Sequence, residues 1–395
     1  MAHSHTEGMS TLHARTSSVD QHAEGCRSFL TALEGQPAFG FIGPNWFASV
    51  MGTGIVANAA ATLPVQVPGL LFFARAVWLL DVVLLVVITV ATLLHWSRHR
   101  SVARGHLANP VMSHFYGAPA MALMTVGTGA LLVGQPLVGE VAAVGVDGVL
   151  WTAGTLLGLW TAVAVPYHAF TTHDVEQDSA FGGWLMPIVP PMVSAATGPL
   201  LLPHLPGGQW QLAMQLACTM MFGLTIVASL IVITMIWSRL VHHKVGAAAA
   251  VPTLWIVLGP LGQSVTAAHT LGATATSVLP APYGSAFEAM GLVYGAPMWG
   301  FTTLTLTLAI AITVRTVRGG DAVLADLVVL HLPRRHRRHR HLRTCRRHRC
   351  ALRRGRCCRL LRRAPGRLGH GRDPHRTRRL PRPPAADSRL IGPGA

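Results

Sequence analysis

The chain has 395 residues, of which 51% are hydrophobic and only 12% charged, with 40 glycines and 26 prolines. That balance excludes an ordinary soluble globular protein and points to a chain built for lipid. The formal charge of +17 sits at one end, because Lys and Arg number 10 against 11 acidic residues up to Gly320, and 22 against 4 from Asp321 onward.

Residues 1–40 are polar, carry His3, His5, His13 and His22, and contain no apolar run of the kind a cleaved signal peptide needs. They are expected to form a disordered cytoplasmic lead. Residues 41–320 read as a transmembrane domain. A helix crosses a bilayer core with about 20 apolar residues, and eight stretches reach that length, at 44–62, 69–95, 112–134, 146–168, 183–204, 210–237, 251–275 and 285–314. The expected fold is an all-α polytopic membrane protein of helical hairpins. Cys26 and Cys218 alone fall before the tail, so no disulfide framework suits the body.

Basic residues set the orientation, since Lys and Arg stay on the cytoplasmic side of short loops. Arg98, Arg100 and Arg104 follow the second span, Arg239 and Lys244 close the sixth, and Arg315 and Arg318 follow the eighth. The alternate loops, near Pro64, Glu140, Pro206 and Pro280, have none. This predicts an inner (plasma) membrane protein with a cytoplasmic amino terminus. The loop His173 to Asp178 is acidic and reads as a solvated connector.

The odd-numbered spans share a small-residue signature near every 70 residues: Met51-Gly52-Thr53-Gly54, then Val126-Gly127-Thr128-Gly129, then Ala196-Thr197-Gly198-Pro199, then Gly259-Pro260-Leu261-Gly262. Such repetition suggests hairpins about a common axis. Gly and Pro in a membrane helix free backbone groups that must be satisfied, which is tolerated beside protein or a water-filled path. Phe47, Met51, Gly52, Thr53, Gly54, Gly127, Thr128, Gly129, Pro190, Pro191, Gly198, Gly259, Pro260 and Gly262 are therefore the candidates for lining a conduit. Close helix packing through small residues is the competing reading. Ionisable groups in spans are functional candidates, so His114, His269, Glu288 and Arg75 are singled out for proton or anion coupling. A structural hydrogen bond is the competing role for each histidine. No metalloprotease, hydrolase, Walker or dinucleotide pattern stands in a suitable context. Transport rather than catalysis is expected, with no cofactor and no metal.

The tail 321–395 invites a nucleic-acid reading, but no aromatic residue follows Phe301 to stack on bases. Cys345, His348 and Cys350 lack paired zinc spacing. Its Arg, Pro, Ala, Gly and His mixture is what a GC-rich gene yields out of frame. One codon choice for Asp321 to Arg337, shifted by a base, reads MPFSLTWWSFTFPVGT. The tail is thus expected to be out of frame and disordered, with the shift near Gly320 and no nucleic acid as partner. The alternative is a membrane-anchored protein whose basic tail binds nucleic acid or anionic lipid.

The segment Pro44-Asn45-Trp46-Phe47-Ala48-Ser49-Val50-Met51-Gly52-Thr53-Gly54, the stretch from Pro190-Pro191 to Gly198, and the latent WWSFTFPVGT together resemble the tellurite-resistance/dicarboxylate transporter family, which includes slow anion channels, malate permeases and sulfite efflux pumps. The resemblance implies ten helices as five hairpins around a pore, a trimer, and a small anionic substrate such as malate, sulfite or a tellurite-like oxyanion. It also implies a gating Phe on a ninth helix, for which this chain has no counterpart. With eight helices of ten, the chain is expected to leave an open seam and to fold or transport poorly.

Overall fold

The computed structural model describes Gly40 and residues 42–176, 178–246 and 248–318. The expected lead, apart from Gly40, and the Arg-rich tail lie outside the described residues. Helix and connecting turn account for what is described, with no strand among those residues.

Four long helices run without interruption. They are the second, fourth, sixth and eighth of the expected spans: α2 (Leu70–Arg98), α5 (Glu140–Thr171), α7 (Gln209–His243) and α9 (Tyr283–Arg318). The first three each start after a glycine with positive φ, Gly69, Gly139 and Gly208, a turn that a side chain would strain. A short helix, α3 (Arg100–Ala108), carries the basic residues after α2.

The odd-numbered spans are all irregular. α1 (Phe47–Thr62) is entered through a 3-10 turn at Pro44–Trp46. α4 (Gly117–Gly129) follows a 3-10 turn and passes into a π-helical stretch, Ala130–Gly134. α6 (Pro190–Thr197) lies between 3-10 segments at Gly182–Leu185 and Gly198–His204. α8 (Leu258–Val278) follows the 3-10 segment Ala248–Val257. Proline explains much of this, since its ring and missing N–H break the i to i−4 ladder: Pro190 and Pro191 start α6, while Pro199, Pro203 and Pro252 sit within 3-10 turns.

Of the eight expected spans, five are single helical runs long and apolar enough to cross a membrane: Leu70–Arg98, Met112–Val138, Glu140–Thr171, Gln209–His243 and Tyr283–Arg318. The other three are the proline-broken or more polar odd stretches. Broken backbone at membrane depth is stable only when covered by protein or lining a wet path, which places the odd helices inside and the even ones toward lipid.

Packing follows that division. α1 packs on α4, α4 on α6, and α6 on α8, forming an inner row. Behind it, α2 rests on α1 and α4, α5 on α4 and α6, and α7 on α6 and α8. α9 rests on α8 and on the 3-10 segment before it. The ends of the row do not close, because α1 and α8 are not packed against each other. In the most apolar part of the run Met112–Val138, which contains α4, 67% of the residues are buried, against 6% for α9, so α4 is core and α9 is the most exposed of the long helices.

Candidate functional site

The repeated glycines divide into two structural classes. A side chain at Gly54 would strike Asp81 Oδ2 and come within 2.9 Å of Thr125. One at Gly127 would lie 2.7 Å from Asp147 Oδ1, one at Gly129 would run into the Trp78 indole, and one at Gly198 would lie 2.6 Å from Cys218 Sγ. These four let helices approach closely. Gly52, Gly259 and Gly262 differ, since nothing stands within 4 Å of a Cβ placed there.

Helix geometry explains the split. Residues two apart on an α-helix point about 200° from one another, so Gly54 faces α2 and α4 while Gly52 faces away. Gly52 belongs to a stripe with Ser49, Val56 and Ala59, at spacings of one helix face, all exposed or half-buried. On α8 the matching stripe is Gly259, Gly262, Thr266 and His269, likewise exposed or half-buried. Two bare, small-residue stripes thus stand at the two unpaired ends of the inner row. Met51 and Thr53 are half-buried beside Gly52, and Phe47 is buried one turn earlier. Thr128, Pro190, Pro191 and Pro260 are buried, and Pro190 packs against α5, where a Cβ at Gly158 would meet its ring at 2.7 Å.

The ionisable candidates scatter. His269 and Glu288 are brought to one helix pair, where α9 crosses α8: His269 lies opposite Gly291 and Glu288 opposite Gly272. Both side chains are exposed. His114 is buried elsewhere, its ring stacked 5.7 Å from Trp184 and edge-on to Phe181 at 5.8 Å. Arg75 is half-buried on α2, with Nε lacking a hydrogen-bond partner among the described residues.

Three features were not singled out from sequence as site residues. Asp81 and Asp147 are 0% exposed, and neither oxygen of either carboxyl has a partner among the described residues. They sit one behind each of the first two glycine signatures, and an ionisable residue within a span was the signal available for Asp147. Polar side chains also tie the outer helices to inner-row carbonyls: Trp78 Nε1 donates to Val126 O at 3.1 Å, Trp151 Nε1 to Ser194 O at 3.1 Å, and Gln215 Nε2 to Leu271 O at 2.9 Å. Lastly, a cavity of about 890 Å³ opens between the end of α7 and residues Val175, Glu176, Ala180 and Trp184, with Ser238, Arg239, His242 and His243 also in its wall. On α3, outside the spans, His106 stacks on His95 with ring centres 5.3 Å apart. Burial, reinforced by His95, lowers its pKa below the usual histidine value.

No group of three metal-binding side chains occurs among the described residues. The open stripes offer hydroxyl, backbone and small apolar surface, with His269 at one end of the α8 stripe.

Residues 42–342 match the SLAC1 family, described as voltage-dependent anion channels. Over 274 residues the chain is 30% identical to a sulfite efflux pump of Arthroderma otae, an alignment covering 68% of this chain and 73% of that protein. A sulfite efflux pump of Trichophyton rubrum gives the same identity and coverage. A transporter of Methanocaldococcus jannaschii is 27% identical over 295 residues, covering 75% of this chain and 79% of its own length.

Proposed function

The chain belongs to the SLAC1 family of voltage-dependent anion channels, and from that premise we propose that it carries a small oxyanion, sulfite first among the candidates, across the cytoplasmic membrane. The observation that carries this reading is the pair of open stripes: in an inner row otherwise closed by packing, Gly52 on α1 and Gly259 and Gly262 on α8 face unfilled space. Sulfite is favoured over malate or tellurite-like anions by the fungal relatives, at 30% identity over most of their length. Small residues in these stripes leave width for an anion, and the Ser49 and Thr266 hydroxyls can replace part of its hydration. No redox or nucleotide chemistry enters this reading; the gradient of the anion supplies the drive.

The test is sulfite flux in liposomes containing the full chain. Flux in the wild type that falls at least tenfold in Gly52→Trp and in Gly262→Trp supports the path, since a bulky ring in open space can fill it without disturbing helix contacts. Wild-type liposomes no more permeable to sulfite than empty ones would overturn the proposal. Equal flux in wild type and both variants would move the path away from these stripes.

A further inference from the structure

Arg239 is a cation in an unusual position. It lies in the last turns of α7 and is only 9% exposed, yet its guanidinium has no carboxylate partner within 4.0 Å among the described residues. Among the described residues its one direct hydrogen bond, from Nη2 to Val245 O, is long at 3.4 Å, and its Nε is buried with no partner. A guanidinium with its Nε shut away from water needs compensation that a single long bond to a neutral carbonyl does not give.

The wall around it gathers hydroxyl and imidazole groups. Thr234, Ser238 and His242 fall at i, i+4 and i+8 on α7, and Arg239 with His243 occupies the neighbouring stripe, so both stripes face the same cavity of about 890 Å³. Trp184 covers one side. The one acidic residue in the wall, Glu176, is exposed on the loop and makes no ion pair with Arg239 among the described residues. A planar guanidinium with hydroxyl and imidazole donors is matched to a tetrahedral or pyramidal oxyanion, which it can grip through two parallel N–H bonds.

We propose that this cavity is an oxyanion-binding vestibule, separate from the open stripes of α1 and α8, with Arg239 as its anchor. The occupant is an anionic oxygen group, either a free oxyanion such as the sulfite of the proposed transport reaction or the phosphate of a lipid headgroup at the membrane surface. The site lies on the outer helix α7, near the end of the bundle that carries the basic loops. There it gathers anions before the path rather than within it. The proposal deepens the transport reading but its central measurement is binding, which does not depend on flux.

The full chain, purified in a neutral detergent, is titrated at fixed ionic strength with sodium sulfite and, separately, with sodium phosphate, following heat of binding and tryptophan fluorescence. Saturable binding is expected for the wild type. In Arg239→Gln the affinity should fall at least about tenfold, as loss of a charge-assisted bidentate contact predicts. Arg239→Lys should retain part of it, because a point charge survives but the fork does not. Should Arg239→Gln fail to fold, Ser238→Ala with His243→Gln on the intact arginine is expected to weaken binding severalfold.

A second arm uses nanodiscs of phosphatidylcholine alone or mixed with phosphatidylglycerol. If a headgroup is the natural occupant, phosphatidylglycerol competes with sulfite in the wild type and not in Arg239→Gln; if the free anion is, sulfite affinity is the same in both lipids. Unchanged sulfite, phosphate and lipid binding in Arg239→Gln would overturn the proposal and leave Arg239 as a helix cap. So would the absence of saturable binding by any of the three probes in the wild type. Flux without binding at Arg239 removes the vestibule alone, and binding without flux removes the transport reading alone.

Discussion

Gly52 and Gly54 stand two residues apart in one motif and answer to different physics. Gly54 is held against Asp81 and Thr125, so Gly54→Ala must push α2 or α4 away from α1, an overpacking cost of about 1–3 kcal/mol. Its thermal unfolding temperature in detergent should fall by several degrees. Gly52→Ala adds a methyl to open space and removes a flexible residue from a helix, so it should unfold no lower than wild type; a fall as large as that of Gly54→Ala would mean that α1 is covered where it stands bare. Asp147 gives a second prediction at this scale. Both its oxygens lack partners among the described residues at full burial, and a neutral amide of nearly the same shape is easier to bury than a carboxylate. Asp147→Asn should therefore melt at or above the wild-type temperature, and a marked drop would show that the carboxylate has a partner in the bilayer. Composition and spacing located the repeated glycines but could not say which way each points, since one shared motif holds a packing glycine and an open one. Asp147 escaped notice for a related reason: its importance comes from its burial behind Gly127, a neighbour 20 positions away in the chain.

At the scale of elements, the alternation of smooth and broken helices was only half legible. The apolar runs of α2 and α7 announce themselves, and the loop charges place their ends. The segment 183–204 passes the length test for a span, yet it folds as 3-10, α and 3-10 again. Pro187, Pro190, Pro191, Pro199 and Pro203 leave no room for a continuous ladder there, and tertiary contacts decide where the surviving helical turn lies. The corner where α2 meets α3 carries a pH prediction. The folded-state pKa of His106 is lowered by burial and by His95. The unfolded chain therefore binds more protons than the folded one as pH falls below about 6.5, and stability must rise with pH through that range and be lost toward acid. Unfolding temperature measured from about pH 7 down to about pH 5 should fall in the wild type and fall less steeply in His106→Gln. Parallel curves for the two proteins would sink the assignment.

For the whole molecule the decisive feature is the open row. α1, α4, α6 and α8 pack in succession, but α1 and α8 are not packed against each other, and each carries an open stripe with glycines that face unfilled space. α9 is long and apolar, yet its described neighbours cover little of it. Among the described residues this is an arc with open faces at both ends, and a frame shift near Gly320 that removes a final hairpin would account for it. We propose that shift as the reason the charge balance reverses at Asp321. The family match extends to residue 342, beyond the proposed break, so the nucleotide sequence across codons 319–340 is the direct check. A one-base correction there should encode WWSFTFPVGT. Compared with the uncorrected protein, the corrected one should unfold at a higher temperature, because two further helices would cover α9 and close the gap between α1 and α8 while leaving the stripes open to the enclosed path, and it should move sulfite faster. If correction changes neither quantity, the bare faces are lipid-facing by design, and the arginine-rich tail must be explained as part of a working eight-span protein.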